Sequence, residues 1–233
     1  MPHYLVITGG SDGIGKASIA RFLAAGWQAI NISRSACDLA GVKNITMDLA
    51  DTASIEKQQA SLSLALKNVE SLCLVHNAAF YEPDEVKSLA IKKFRTTLEV
   101  NVIAPVILNQ MLIPYMPAGS SILYIGSTLA EKAVPGSASY TISKHAVVGL
   151  MRATCQDLME QSIRSCCICP GLVDTKLLSN TMSENVLGYL LKEKVIGKRL
   201  IAPSEIADVI YFCATTPVIN GAVIPANLGQ VAD

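Results

Sequence analysis

The chain opens on a short apolar run, Tyr4–Ile7, that passes through Thr8 into a glycine-rich turn, Gly9-Gly-Ser-Asp-Gly-Ile-Gly15. A helical pattern follows at once over Ile14–Ala25, with Ala17, Ala20 and Ala24 on one face and Gly26 as its stop. A strand that turns into a helix within a few residues has few ways to continue. The helix packs back on the sheet and the chain returns as a parallel strand. The rest of the sequence repeats this scheme. Strands are expected at Ala29–Ser33, Asn44–Met47, Leu72–Val75, Ile122–Ile125, Ser165–Ile168 and Ala222–Ile224. Helices are expected at Ile55–Leu66, across Leu89–Met116 with an interruption at Pro105, at Ser137–Met159, and from Pro203 to Ala214. The stretch between Ser33 and Asn44 is too short for a full helix. The fold class is therefore α/β, a mainly parallel, doubly wound sheet of about seven strands with helices on both faces.

No linker, repeat or low-complexity tract divides the 233 residues, so one domain is expected over 1–233. The segment 176–200 breaks the alternation and mixes apolar with polar residues, which suits a lid over a substrate. Lys plus Arg and Asp plus Glu balance at 19 each, which gives no general attraction to nucleic acid or to an anionic membrane. The start lacks a basic flank with an apolar signal core, and no apolar run approaches the ~20 residues of a span. Seven cysteines, several in the run Cys166-Cys-Ile-Cys169, lack zinc spacing, and strand neighbours point to opposite faces. Reduced, buried thiols in a cytoplasmic protein are expected.

The glycine turn carries the first chemistry. Glycines at 9, 13 and 15 allow a tight turn, close ligand approach and close helix–strand packing, and the helix start offers N–H groups to a pyrophosphate. The alternative is a purely structural strand-to-helix turn. Some twenty residues after Gly13, where an acid would read an NAD ribose, stand Ser33 and Arg34. A hydroxyl and a guanidinium suit a 2′-phosphate and favour NADP over NAD. Asp12 argues the other way, because its carboxylate repels that phosphate; Arg34 pairing with Asp12 is a further possibility. Tyr140 and Lys144, four apart on a helix, share one face. A cation beside a phenol lowers its pKa and equips it to exchange a proton with a substrate oxygen.

With Asn77-Ala-Ala79, Asn101, Ser127, Tyr140-x-x-x-Lys144, Pro170-Gly-Leu-Val-Asp-Thr175 and the ending Gly221–Gly229, the whole chain resembles a short-chain dehydrogenase/reductase. The resemblance implies a Rossmann-type domain and an NAD(P)-dependent oxidoreductase acting on a carbonyl or alcohol. It implies a catalytic set of Asn101, Ser127, Tyr140 and Lys144. Ser127 would hold the substrate oxygen, Tyr140 exchange the proton, and Lys144 bind the nicotinamide ribose. Asn101 would support a water linking Lys144 to solvent. It also implies cofactor contacts from Gly9, Ser11, Asp12, Gly13, Ile14, Ser33, Arg34, Asp48, Leu49, Asn77, Ala78 and Ala79. Further along, Pro170, Gly171, Val173 and Thr175 would meet the nicotinamide end. Ala79 replaces the usual glycine and is expected to crowd the backbone slightly; Asn-Leu-Gly replaces the usual Asp-Gly-Gly near the end. The family assembles through the Tyr140 helix, so a homodimer or homotetramer is expected, with Ala146, Gly149 and Ala153 at the contact. None of His3, His76 and His145 receives a catalytic role. The competing reading, a dinucleotide-binding redox sensor without turnover, is disfavoured because such regulators commonly lose the Tyr or Lys that stand here. The expected pocket wall, with Phe80, Tyr81, Leu129, Val134, Leu172, Leu177, Leu178 and Tyr189, is mainly apolar and suits a neutral ketone or aldehyde.

Overall fold

A computed structural model describes residues 1–66 and 68–230. Its centre is a seven-stranded parallel sheet built from β1 (His3–Thr8), β2 (Gln28–Ser33), β3 (Val42–Thr46), β4 (Ser71–His76), β5 (Ser121–Ile125), β6 (Arg164–Pro170) and β7 (Val223–Ala226), in the order β3-β2-β1-β4-β5-β6-β7. Continuous burial along β1, β4 and β5 explains why these runs do not alternate with polar residues: both faces are covered. One layer holds α1 (Gly13–Ala24) and α9 (Pro203–Thr215), with Phe22, Ile206 and Ile210 against Leu5, Ile7 and Val75. The other holds α2 (Thr52–Glu56), α3 (Gln59–Ala65), α4 (Ile91–Leu98), α5 (Ala104–Leu112) and α6 (Ala138–Asp157), packed on Val6, Leu74 and Tyr124. Two short helices, α7 (Lys176–Thr181) and α8 (Glu184–Lys194), occupy the segment that broke the alternation.

The order reverses between β1 and β4, and the crevice beyond the strands' carboxyl ends at such a switch point is where open α/β sheets bind ligands. Three expectations are adjusted. The helix expected over Ile55–Leu66 is two, because Asp51 caps a start at Thr52 and the Gln58 N–H bonds Ile55 O, tightening the turn. Between α4 and α5 the chain makes a π-turn over Glu99–Ile103, ahead of Pro105, which lacks the N–H that would bond the Asn101 carbonyl. The helical run Ile91–Tyr115 is thereby long and apolar enough, by length and composition, to cross a bilayer. It packs instead as a core helix, through Ala104, Leu108 and Leu112. As expected, no helix lies between β2 and β3. All seven cysteines are free and buried, although Cys167 and Cys169, two apart on β6, bring their sulfurs within 3.9 Å.

Candidate active site

The glycine turn is held from below by Thr8, Asn31 and Asn77, of which the sequence reading singled out only Asn77. Thr8 Oγ1 accepts the N–H groups of Asn77 and Ala78, both at 3.0 Å. Asn77 Nδ2 returns to the carbonyls of Thr8 (2.9 Å) and Gly9 (3.1 Å). Buried Asn31 accepts the Gly10 N–H at 2.9 Å and donates to Ser33 Oγ and Ser35 O. The ends of β1, β2 and β4 thus form one rigid ledge. Gly13 has φ +53°, and a Cβ on Gly15 would sit 2.2 Å from the Gly9 carbonyl oxygen, so the close packing requires glycine. Asp12 caps α1 through Gly13 N at 2.8 Å, whereas the first-turn N–H groups of Ile14 and Gly15 have no intrahelical acceptor.

Above the ledge lies a cleft of about 1170 Å³. All the expected cofactor residues line it: Gly9, Ser11, Asp12, Gly13, Ile14, Ser33, Arg34, Asp48, Leu49, Asn77, Ala78, Ala79, Pro170, Gly171, Val173 and Thr175, together with Tyr140 and Lys144. The side chains of Leu49 and Val173 are buried, so these two offer backbone. Asp48 accepts the Ala50 N–H at 3.0 Å, and Asp51, not Asp48, caps the next helix. Ala79 has no positive φ, so its backbone conformation is one that alanine adopts without strain. Arg34 is exposed and has no partner among the described residues, and Asp12 pairs with Lys176 (2.7 Å) rather than with Arg34. An unpaired guanidinium, free helix N–H groups and a glycine cradle fit a dinucleotide phosphate chain.

The chemical end of the cleft brings together Ser127, Tyr140 and Lys144. Ser127 follows β5 by two residues, with its Oγ accepting from Leu129 N at 3.1 Å and its hydroxyl facing the Tyr140 phenol. Tyr140 is half-buried, with the cleft on its open side and Tyr81 edge-on at 4.9 Å. Burial pushes its phenol pKa up, opposed by the Ser127 bond, and the expected lowering by Lys144 is not found. The reason is geometric. Lys144 Nζ lies 5.2 Å from the ring centroid and donates to Ile125 O at 2.7 Å. Burial brings that ammonium down to about 8.

Asn101 does not line the cleft with the other three. Its side chain is spent on structure: Oδ1 accepts Phe80 N (2.7 Å), while Nδ2 donates to Phe80 O (3.0 Å) and Ser143 Oγ (2.9 Å). Its backbone carbonyl has no α-helical donor, because Pro105, four residues on, lacks an N–H. Asp84 is a positioning residue that no local signal revealed. Its carboxylate takes both the N–H (3.0 Å) and the hydroxyl of Ser139, capping α6 one residue before Tyr140. His76 lies outside the cleft in a buried network with Asn109 and Tyr124, and burial depresses its pKa to about 4, so it stays neutral there.

Beyond Tyr140 the wall is mainly apolar, with Lys132, Thr181, Ser183 and Lys194 also on the lining. Phe80, Leu129, Val134 and Leu172 line it with Leu177, Leu178, Met182, Val186 and Leu190 from α7 and α8, while Tyr189 points elsewhere. Among the described residues, no group of three or more His, Cys, Asp or Glu could hold a metal.

The model of the short chain dehydrogenase family matches residues 3–186. Among curated relatives, Protein FixR of Bradyrhizobium diazoefficiens is 28% identical over 246 residues, covering 98% of this chain and 87% of that one. A blue fluorescent protein from a metagenomic library, solved in complex with NADPH, superposes with a TM-score of 0.88 at 26% identity, over 99% and 98% of the two chains. A 4-hydroxyisoleucine dehydrogenase mutant, solved with NADH and succinate, gives 0.89 at 25% identity, over 99% of each.

Proposed function

Because the chain belongs to the short chain dehydrogenase family, we propose that it is a nicotinamide-dependent oxidoreductase that reduces a neutral, largely apolar ketone or aldehyde to an alcohol, with NADP preferred over NAD. The observation that carries this reading is the convergence of Ser127, Tyr140 and Lys144 on the wall of the cleft that the glycine turn also lines. The bound nicotinamide supplies or removes a hydride. Ser127 holds the substrate oxygen beside the phenol. Tyr140, protonated at neutral pH and held so more firmly by burial, donates the proton that the developing alkoxide needs in the reductive direction. Lys144, largely protonated at neutral pH, is a donor at the floor of the site for the ribose. The Asn101 carbonyl offers a water a place from which to reach Lys144. Helices α7 and α8 serve as the lid that excludes water over the apolar wall.

Preference for NADP rests on Arg34, whose guanidinium is exposed and has no partner among the described residues. Measured by fluorescence, NADPH should bind more tightly than NADH, and Arg34→Ala should erase most of the difference. A wild-type preference for NADH would sink this part of the reading. The protein is further proposed to work in the cytoplasm, with its thiols reduced, and as a homodimer or homotetramer. The exposed face of α6, with Ile142, Gly149 and Ala153, supports the assembly: no atom lies within 4 Å of a Cβ built on Gly149. Neither nucleic acid nor membrane is expected as a partner.

A further inference from the structure

Asp12 is an awkward residue for a site that takes a 2′-phosphate. It stands two residues after Gly10 and lines the same cleft as Ser33 and Arg34. Asn31 fastens the two stretches side by side, accepting from Gly10 N and donating to Ser33 Oγ and Ser35 O, the residues flanking Arg34. A carboxylate in the same cleft as a dianion opposes it.

The structure sets a lysine from a remote part of the chain against this carboxylate. Lys176 Nζ lies 2.7 Å from Asp12 Oδ2, and Lys176 also lines the cleft. Its position is not left to a long flexible stem alone. Thr175 packs against the glycine turn so closely that a Cβ on Gly13 would be 2.9 Å from its Cγ2, and Thr175 caps α7 through Leu178 N. The first residue of α7 is thereby delivered to the first turn of α1. The other nearby cation, Lys16, is occupied by Asp38 at 2.6 Å. Among the described residues at this end Lys176 is paired with Asp12 and Lys16 with Asp38, Asp48 is turned to the Ala50 N–H, and Arg34 is unmatched.

We infer that Lys176 is a cofactor-selectivity residue: by neutralising Asp12 it removes the repulsion that would otherwise turn the site away from a 2′-phosphate. The inference rests on the proposed nicotinamide dinucleotide site. Both partners are solvent-exposed, so the effect is that of a screened surface pair, about two- to five-fold in affinity.

The test is a charge cycle read as the ratio of the NADH and NADPH dissociation constants, by fluorescence at low ionic strength, for wild type, Lys176→Met, Asp12→Asn and the double variant. Asparagine keeps the helix cap and methionine keeps the stem. Lys176→Met should move the ratio two- to five-fold toward NADH. Asp12→Asn alone should leave NADPH bound at least as well, and adding it to Lys176→Met should restore the wild-type ratio, because both forms are locally neutral. A ratio unmoved by Lys176→Met overturns the inference, since mere loosening of α7 would weaken both cofactors alike. A shift that Asp12→Asn fails to reverse overturns it too, showing that Lys176 meets the phosphate directly. The ratio is defined whichever cofactor binds better. Failure of Arg34→Ala to change it would fault the NADP reading while leaving this cycle interpretable.

Discussion

Lys144 is a charge kept in a place that disfavours it, and removing it should make the folded protein more stable. The side chain is 2% exposed, and burial brings its ammonium from 10.5 to about 8. At about 1.4 kcal/mol per pH unit, holding that proton in the folded state costs on the order of 3 kcal/mol at neutral pH. Lys144→Met preserves the stem and removes the cost, but it leaves the Ile125 carbonyl without its donor, a loss of about 1 kcal/mol. The net expectation is a gain of roughly 2 kcal/mol at pH 7. The folded value lies below the unfolded one. Between pH 8 and 10.5 the unfolded chain therefore holds more protons, and wild-type stability from this group rises with pH. The advantage of Lys144→Met should accordingly be full below about pH 8 and fade toward 10.5. Urea unfolding of both proteins from pH 6.5 to 10 measures the difference while other titrating groups cancel. A variant less stable than wild type at pH 7, or a difference flat across the range, would refute the reasoning.

Asp84→Ala should strip the cap from α6, lowering stability by about 0.5–2 kcal/mol in urea unfolding. Its turnover should fall further than its affinity for NADPH, since Tyr140 lies one residue beyond Ser139 and the dinucleotide contacts lie elsewhere. Equal losses in both would deny Asp84 a positioning role. Gly149→Glu, placed on the open face of α6, should sediment as a smaller species than wild type with its secondary structure intact. A wild type that is already monomeric at micromolar concentration would contradict the proposed assembly.

The parts of this molecule that repeat locally were legible in its sequence. Strand positions, the turn at Gly9–Gly15 and the Tyr140–Lys144 spacing are short-range patterns, and each is found where those patterns put it. The missed features join distant segments. Asp84 caps a helix 55 residues away, Asn31 ties two strand ends through a buried amide, and Lys176, which follows β6, reaches Asp12, which follows β1. No spacing rule encodes such pairs, because they exist only once the sheet has closed. The Tyr140 phenol shows the same limit in electrostatics. Four-residue spacing brings a cation near, but burial of both groups and the Ile125 carbonyl decide where the charge goes. Asn101 was expected beside a water that links Lys144 to solvent, and no sequence pattern showed that its amide would be held by Phe80 and Ser143.

The central claim is that Tyr140 delivers a proton in a nicotinamide-dependent reduction. A panel of neutral ketones and aldehydes, followed by NADPH absorbance, identifies a working substrate. Wild type and Tyr140→Phe are then compared on it, with NADPH affinity measured alongside. The substitution removes one oxygen and leaves the glycine turn untouched, so NADPH should bind almost as before while turnover falls by roughly 10²–10⁴-fold. Undiminished turnover by Tyr140→Phe on that substrate would contradict the account.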